Sequence, residues 1–301
     1  MKLDPALLAR LGSLPVRARV IVESALSGQH RARLHGSSVE FAEHKEYSPG
    51  DEIRHIDWKA LGKLDRYYVK QYEQESQLTA YLVLDGSGSM RFGGVGPSKI
   101  EYAAQALGSL AYLVSQQQDK VGLLVVGPRA GELHVPPRAK GTHLADLLGV
   151  LDQAIADRDP GDASPAHAID RIGELARRRR ALVVLASDLF DSDDRTLGAL
   201  RRLRAQHHDV VVLHVLAPEE LTLPYEGLTM FEALEGDHQM LANPTAIRGE
   251  YLAKMTAFLD RVRAELGTAG VDYHLTPTDR PLDATLQAVL ATRRSGRERA
   301  R

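Results

Sequence analysis

The chain has 301 residues, of which 44% are hydrophobic and 26% are charged, and its formal net charge is -2. These proportions are ordinary for globular proteins, and so small a net charge does not favour binding to nucleic acid or to an anionic membrane. There is no cysteine, which excludes disulfides, thiolate metal ligands and cysteine nucleophiles. The sequence shows no signal-peptide pattern and no apolar run of about 18 residues, so we expect a cytoplasmic protein without membrane insertion.

The N-terminal part contains two segments that differ in composition and in the spacing of their apolar residues. Residues 3–27 place their apolar side chains mostly at helical spacing, which predicts one or two helices that pack on the main body. Residues 28–78 are dense in charged and aromatic side chains, and Tyr68, Lys70 and Tyr72 alternate as in a strand. We therefore predict a β-rich or loop-rich segment after the helices.

Within that segment, residues 40–59 concentrate ionisable side chains and the only tryptophan of the chain. Two interpretations stay open. In the first, Asp51, Arg54 and Asp57 form buried ion pairs that hold an irregular segment to the sheet. In the second, the stretch is a partner-binding surface, whose candidate residues are Glu46, Asp51, Arg54, Asp57 and Trp58.

The most informative stretch is a short apolar run, 81–84, that ends abruptly in Asp85. Ser87 and Ser89 follow at alternating positions among glycines, and a capping-box pattern then opens a helix. In an open parallel sheet, such a loop lies at the carboxyl ends of the strands, where these folds bind ligands. One carboxylate and two hydroxyls form an all-oxygen set that suits a hard cation such as Mg²⁺. The alternative is a flexible or phosphate-binding turn.

The spacing Asp85-x-Ser87-x-Ser89 resembles the metal-ion-dependent adhesion site (MIDAS) of von Willebrand factor A-type domains. The resemblance implies that the acid and both hydroxyls hold a divalent ion, Mg²⁺ or alternatively Mn²⁺ or Ca²⁺. It also implies that one coordination position is left for a carboxylate of a partner protein.

A second signature precedes this loop: Glu40-Phe41, then Glu46-Tyr47-x-x-Gly50-Asp51-x-x-Arg54-x-Ile56-Asp57-Trp58-Lys59. In combination, the two signatures closely resemble the bacterial family known as domain of unknown function 58. The resemblance implies a von Willebrand factor A-like domain that is often encoded beside a MoxR-type AAA+ ATPase. That ATPase, or a client that it remodels, is therefore the expected partner. Many relatives carry membrane helices near the N-terminus, and their absence from this sequence implies a cytoplasmic member.

The remainder of the chain alternates between helical and strand patterns. Predicted helices cover 98–118, 144–155, 165–178, 200–206 and 251–262, and predicted strands cover 121–126, 132–135, 181–187, 209–216 and 271–276. The second of these strands is expected to fold back as an antiparallel edge. Residues 224–244 are expected to form a surface excursion of hairpin type. The arginine run 177–180 falls at a helix C-terminus, where it complements the macrodipole, so nucleic acid is not an expected partner.

This order of elements predicts the fold class and the domain organisation. Alternating strands and helices favour an α/β fold, here a von Willebrand factor A-like doubly wound, mostly parallel sheet with an antiparallel edge strand. We place that domain at 79–292, after the N-terminal helices and β/loop-rich segment at 1–78. Residues 293–301 are predicted to be a basic, disordered tail.

A second acid, Asp188, ends another predicted strand. If the two strands are parallel neighbours, Asp85 and Asp188 converge at one edge of the sheet. By resemblance, an acid at this position joins the metal's shell, often through water. Adhesion-type sites also use a threonine that opens the preceding helix. Here an alanine occupies that position and Ser164 lies beside it, so Ser164 is our candidate, with Thr142 or a water molecule as alternatives.

An enzymatic function is the main competing interpretation. In it, a metal-dependent phosphoester hydrolase uses Asp85 as nucleophile and binds phosphate at the helix N-terminus. Such chemistry usually needs a second acid and a nearby lysine, whereas the loop offers hydroxyls and Lys99 belongs to the following helix. Ser87 lacks the Gly-x-Ser-x-Gly elbow of serine hydrolases. We therefore predict a non-enzymatic protein-binding or assembly factor. A metal-free scaffold that docks through residues 40–59 is a further alternative.

Overall fold

The structure is a computed structural model of the chain. It describes residues 14–27, 41–47, 67–72, 78–94, 96–127, 133–139, 141–157, 164–177, 179–190, 194–234 and 238–299. These residues belong to two units, of which the smaller comprises residues 33–77 and the larger comprises the rest of the chain.

The smaller unit contains a two-stranded antiparallel sheet. Strand β1 (Phe41–Glu46) pairs with strand β2 (Tyr68–Tyr72), and the register shifts near the start of β1. Beyond β1, the amide of Tyr47 donates to the carbonyl oxygen of Tyr67 at 2.8 Å. The alternating residues that predict a strand near the end of this segment therefore form β2.

The larger unit is built from helices and strands in alternation. Its elements are α1 (Leu14–Ser27), β3 (Thr79–Asp85), α2 (Lys99–Gln116), β4 (Lys120–Val126), β5 (Leu133–Arg138), α3 (Gly141–Ala156), α4 (Pro165–Leu175), β6 (Leu182–Ser187), α5 (Arg195–Ala205), β7 (Asp209–Leu216), α6 (Pro218–Thr222), β8 (Thr229–Glu232), β9 (Gln239–Ala242), α7 (Pro244–Thr268), β10 (Asp272–Pro277) and α8 (Leu282–Arg299). None of the described helices combines the length and the apolar character needed to span a bilayer.

Six strands form the central sheet in the order β10-β7-β6-β3-β4-β5. All neighbours are parallel except β4 and β5, which pair antiparallel at the edge. The predicted doubly wound, mostly parallel sheet with an antiparallel edge strand is thus confirmed. The remaining strands, β8 and β9, form a separate antiparallel hairpin, as the pattern of 224–244 suggests.

Helices cover both faces of the sheet because successive strand residues point to opposite sides. In β3, Leu82 and Leu84 join the core beneath α1, α2, α3 and α8. Tyr81 and Val83 join the core beneath α4, α5 and α7. A strand buried on both faces is a continuous apolar run, and its first polar residue, Asp85, marks the point where the chain leaves the sheet.

Helix α1 packs on α2 within the larger unit, as predicted for the N-terminal helices, and its buried side chains belong to the main core. Two boundaries differ from those predicted. Helix α5 begins at Arg195 rather than near residue 200, since Leu197 and Ala199 are buried and extend its apolar face. Helix α8 continues to Arg299 through the residues predicted as a disordered tail. The tail's arginines are good helix formers, and no proline interrupts them.

Candidate functional site

Three acidic residues follow the carboxyl ends of three adjacent strands. Asp85 ends β3, Asp188 follows β6, and Glu220 lies in helix α6 directly after β7. Parallel strands deliver their carboxyl ends to one edge of the sheet. Between β3 and β6 the chain order reverses, and such a switch point leaves a crevice in which α/β proteins bind ligands. The topology therefore places these acids at the edge where a ligand site is expected.

Asp85 is a buried acid that, among the described residues, has no lysine or arginine beside it. Its side chain is only 3% exposed. Oδ1 accepts a hydrogen bond from the amide of Ser87 at 3.0 Å, and Oδ2 accepts one from the hydroxyl of Ser187 at 2.5 Å. Burial, and then repulsion from Asp188, raise the pKa of Asp85 to about 6, although the bonds from both serines oppose the rise.

The two serines of the loop lie next to each other, and Ser87 contacts this carboxylate. The hydroxyl oxygens of Ser87 and Ser89 are 3.1 Å apart. The loop is held against the neighbouring strand because the amide of Gly86 donates to the carbonyl oxygen of Val126 at 2.7 Å. Gly127, which follows Val126, has a φ of +106° and lies directly against the backbone of Gly86. The two glycines let the strands stay close where the loop begins.

A buried lysine joins the other two acids. The ammonium group of Lys99 is 2.7 Å from Oδ2 of Asp188 and 2.6 Å from Oε1 of Glu220, and its side chain is fully buried. Lys99 is the first residue of α2, where the helix dipole disfavours a positive charge. The two carboxylates offset that effect, and the ring of Phe190, 5.2 Å from the ammonium nitrogen, covers it.

A histidine extends the cluster beneath Asp188. The Nε2 atom of His214 is 2.8 Å from the backbone carbonyl oxygen of Asp188, and Nδ1 is 2.8 Å from the hydroxyl of Tyr273. A carbonyl oxygen only accepts, so Nε2 carries the proton and Nδ1 accepts from the tyrosine. Burial lowers the pKa of His214 to about 4. The ring is therefore neutral at pH 7 and supports the strand ends without adding charge.

A comparison with known protein families and sequences identifies relatives of this chain. A family model described as "Protein of unknown function DUF58" matches residues 43–258, more than two thirds of the chain. The chain belongs to the DUF58 family. An uncharacterized protein of Mycobacterium tuberculosis strain H37Rv is 28% identical over 299 residues, which cover 97% of this chain and 92% of the relative.

Solved structures similar to this DUF58 protein include the conserved hypothetical protein BatB from Bacteroides thetaiotaomicron. That structure has 18% identity and a TM-score of 0.46, over 71% of this chain and 98% of BatB. Another is a von Willebrand factor type A structure from Catenulispora acidiphila. It has 13% identity and a TM-score of 0.35, over 50% of this chain and 34% of the other.

We call the sheet edge around Asp85, Asp188 and Glu220 the rim. Its donor set and charge could hold a divalent cation, although the described residues contain no cluster of three or more acidic or histidine side chains arranged for a metal ion. Asp85, Ser87 and Ser89 offer only oxygen donors. Among the described residues, no lysine or arginine forms an ion pair with Asp85. When ionised, Asp85, Asp188 and Glu220 carry three negative charges against the one positive charge of Lys99, so the cluster has a net charge of -2. A bound dication would neutralise that charge.

The third hydroxyl ligand stays a prediction. Ser164 is the N-cap of α4, and its hydroxyl accepts from the amide of Ala166 at 3.3 Å. It also lies 3.4 Å from the hydroxyl of Thr196, at the start of α5. Thr142, the alternative, is exposed in the first turn of α3. The bond from Ala166 gives Ser164 a helix-capping role, which does not require a metal.

The predicted partner-binding residues fall largely outside the described part of the chain. Glu46 is the last residue of β1 and pairs with Tyr68 across the small sheet. The others, Asp51, Arg54, Asp57 and Trp58, lie outside the described residues, as do the ion pairs proposed among them. Their role stays a prediction.

Sequence reasoning missed three members of the site. Lys99, assigned only to the following helix, is its first residue and so points back toward the strand ends. Glu220 directly follows the third parallel strand and accepts from the amide of Ala217 at 2.7 Å, a local capping bond that a Pro-Glu-Glu sequence signals. Ser187 precedes Asp188 and faces Asp85 because β3 and β6 are in register. For Glu220 and Ser187, the sequence did offer one signal, which is their position at or shortly after the end of a predicted strand.

The raised pKa of Asp85 makes stability depend on pH in a defined direction. Because the folded pKa of about 6 exceeds the ordinary 3.8, folding favours the protonated form. The stability that this preference contributes is present below the ordinary value and is lost as pH rises through about 6. The loss amounts to about 3 kcal/mol when no cation is bound.

Asp85→Asn removes this titration. In the presence of a chelator, we expect the variant to be more stable than the wild type at neutral pH, with the difference shrinking towards about pH 4. Urea unfolding at several pH values measures it. A variant that is less stable than the wild type at neutral pH would contradict the burial of an uncompensated charge.

Proposed function

We propose that this DUF58 protein is a non-enzymatic binding and assembly factor. In this proposal a divalent cation sits at the sheet rim and links it to a carboxylate of a partner protein. The observation that carries the proposal is the carboxylate of Asp85, which is buried and unpaired with any described cation. It lies next to the Ser87 hydroxyl, which is 3.1 Å from that of Ser89. A buried anion of this kind is costly unless a cation compensates it.

Asp85, Ser87 and Ser89 would hold the ion directly. Mg²⁺ is the expected ion, and Mn²⁺ and Ca²⁺ have the same preference for oxygen. Asp188 would support the ion from further out, since one of its oxygens bonds Lys99 and the other accepts from the amide of Phe190 at 3.2 Å. When bound, a partly dehydrated ion supplies an attraction for a carboxylate much stronger than that of an exposed charge pair.

The proposed partner is a MoxR-type AAA+ ATPase or a client of that ATPase, on the basis of the family resemblance. A cytoplasmic site of action is part of the same proposal. The test is a binding measurement between the purified protein and the MoxR-type ATPase of its own host, with Mg²⁺ or with EDTA. We expect binding that requires Mg²⁺ and is lost in Asp85→Asn.

The matched variant for this test is Arg54→Glu, in the predicted docking segment 40–59. Binding that ignores EDTA and Asp85→Asn but is lost in Arg54→Glu would contradict the metal-linked proposal. That outcome would favour the scaffold that docks through this segment. Absence of binding under all conditions would contradict the choice of the ATPase as partner.

A second candidate, a metal-dependent phosphoester hydrolase, gains support from one observation. The second acid and the lysine that such chemistry uses lie together at the rim, as Asp188 and Lys99. Hydrolysis of p-nitrophenyl phosphate with Mg²⁺, lost in Asp85→Asn, would support this candidate. A rate equal to that of buffer would dismiss it.

A further inference from the structure

The hairpin β8–β9 exposes an unusual amount of apolar surface. Met230 is 54% exposed, Met240 is 59% and Leu241 is 55%, and Leu228 just before the hairpin reaches 72%. Isolated exposed leucines are common, but a cluster of large apolar side chains on one projecting element is typical of a binding surface. Methionine is frequent on surfaces that accept varied partners because its side chain is flexible and polarisable.

Strand register separates the two faces of the hairpin. Met230 pairs with Leu241, and Glu232 pairs with Gln239, so these four side chains share one face. The side-chain amide of Gln239 (Nε2) donates to Oε1 of Glu232 at 2.7 Å. This face, which we call the hairpin face, is defined by Met230, Glu232, Gln239 and Leu241. It combines two apolar side chains with a negative charge.

The base of the hairpin is fixed to the rest of the larger unit. The guanidinium group of Arg248, in α7, donates to the carbonyl oxygens of Leu223 at 3.0 Å and Tyr225 at 2.8 Å. The ring of Tyr225 contacts that of Phe231 edge-on, with centroids 6.0 Å apart. Phe231 points away from the hairpin face and is half-buried. The exposed side chains are therefore presented by an anchored element.

The charge around the hairpin is one-sided. Residues 224–243 contain four acidic residues and neither lysine nor arginine, although Arg248 lies at the base of the hairpin and the whole chain has 38 basic and 40 acidic residues. Two of the acids are exposed: Glu232, which lies on the hairpin face, and Glu226, which precedes Leu228 by two residues. A surface of this composition repels an anionic membrane, and it repels a second copy of itself. It attracts a segment that carries both apolar and basic side chains.

We propose that the hairpin face docks a basic amphipathic segment of a partner protein. The apolar side chains of that segment pack on Met230 and Leu241, and its lysines or arginines pair with Glu226 and Glu232. This docking is independent of the cation proposed at the rim. It gives the protein a second contact surface, which binds a basic segment, whereas the rim would bind a carboxylate.

The test uses the full chain and two synthetic amphipathic helical peptides, one of leucine and lysine and one of leucine and glutamate. Fluorescence anisotropy is expected to show binding of the lysine peptide only, weakened by added salt. The double variant Met230→Ser/Leu241→Ser is expected to lose affinity about tenfold or more. Glu226→Gln/Glu232→Gln is expected to lose the dependence on salt.

Leu175→Ser provides the matched control, because Leu175 is 52% exposed but lies on α4. It should bind the lysine peptide like the wild type, and so should Asp85→Asn. Equal binding of both peptides, or equal loss in Leu175→Ser, would overturn the proposal. A wild type that dimerises in sedimentation while the double variant is monomeric would also overturn it, since the face would then join two copies of the chain.

Discussion

Replacing Lys99 with methionine is expected to lower the free energy of unfolding by about 3–5 kcal/mol. Methionine is unbranched, close to lysine in volume and only one heavy atom shorter, so the substitution removes the charge with little change in packing. Asp188 and Glu220 would then lie buried without the ammonium group that binds both. Leaving a buried acid unpaired costs far more than an intact buried ion pair contributes. Urea unfolding of the wild type and the variant measures the difference.

Lys254→Met is the control for this substitution. Lys254 also pairs with a glutamate, Glu250 at 2.7 Å, but both side chains are more than 70% exposed. A pair of this kind contributes little to stability because solvent screens both charges. Equal effects of the two substitutions would mean that Lys99 does not compensate buried charge.

Gly127→Ala is expected to lower the free energy of unfolding by about 2–4 kcal/mol. With φ at +106°, the backbone of Gly127 is strained for any residue with a Cβ atom. The added Cβ would also lie 2.7 Å from the carbonyl carbon of Gly86 and 2.9 Å from the amide nitrogen of Ser87. Backbone atoms cannot move aside cheaply, so we expect the loop that carries Ser87 and Ser89 to shift.

Gly227→Ala separates backbone strain from this close approach. Gly227 also has a positive φ, +74°, but an added Cβ would meet nothing within 4 Å. We expect a loss of only about 1–2 kcal/mol from conformation and unchanged divalent-cation affinity, whereas Gly127→Ala should weaken that affinity. Thermal unfolding with and without Mg²⁺ gives both quantities. Similar behaviour of the two variants would show that the contact between Gly127 and Gly86 does not shape the site.

The convergence of Asp85 and Asp188 was predictable because it depends on topology alone. Each acid follows a continuous apolar run, and parallel strands end at one edge of a sheet. Neither inference requires side-chain positions. The same patterns predict the antiparallel edge strand and the hairpin after β7, whose turns are marked by glycine and proline.

The electrostatic partners at the rim were not predictable in the same way. Lys99 and Glu220 are 121 residues apart, and only the packing of α2 against the ends of β6 and β7 brings them together. Lys99 lies at a capped helix start, and Glu220 lies in a Pro-Glu-Glu turn. Each pattern has a local explanation, so neither indicates the ion pair. The role of Ser164 at the site stays a prediction, since a helix cap accounts for the serine without any metal.

At the rim, two of the three acids pair with a buried lysine, and the third has no described cation beside it. Asp188 and Glu220 share a buried lysine, whereas the partners of Asp85 in the described part of the chain are the hydrogen-bond donors Ser87 and Ser187. Such a division keeps the fold intact when no cation is bound and still leaves one acid that a cation would stabilise. Sites of this kind trade stability for function, which is why Asp85→Asn is expected to stabilise the protein at neutral pH.

The most direct test of the account is a calorimetric titration of the chelator-treated protein with Mg²⁺ and with Mn²⁺. We predict saturable binding of one ion to the wild type and its loss in Asp85→Asn. Asp170→Asn, which changes a surface acid paired with Arg202, should bind like the wild type. Identical heats for the wild type and Asp85→Asn would contradict the existence of a cation site at this rim.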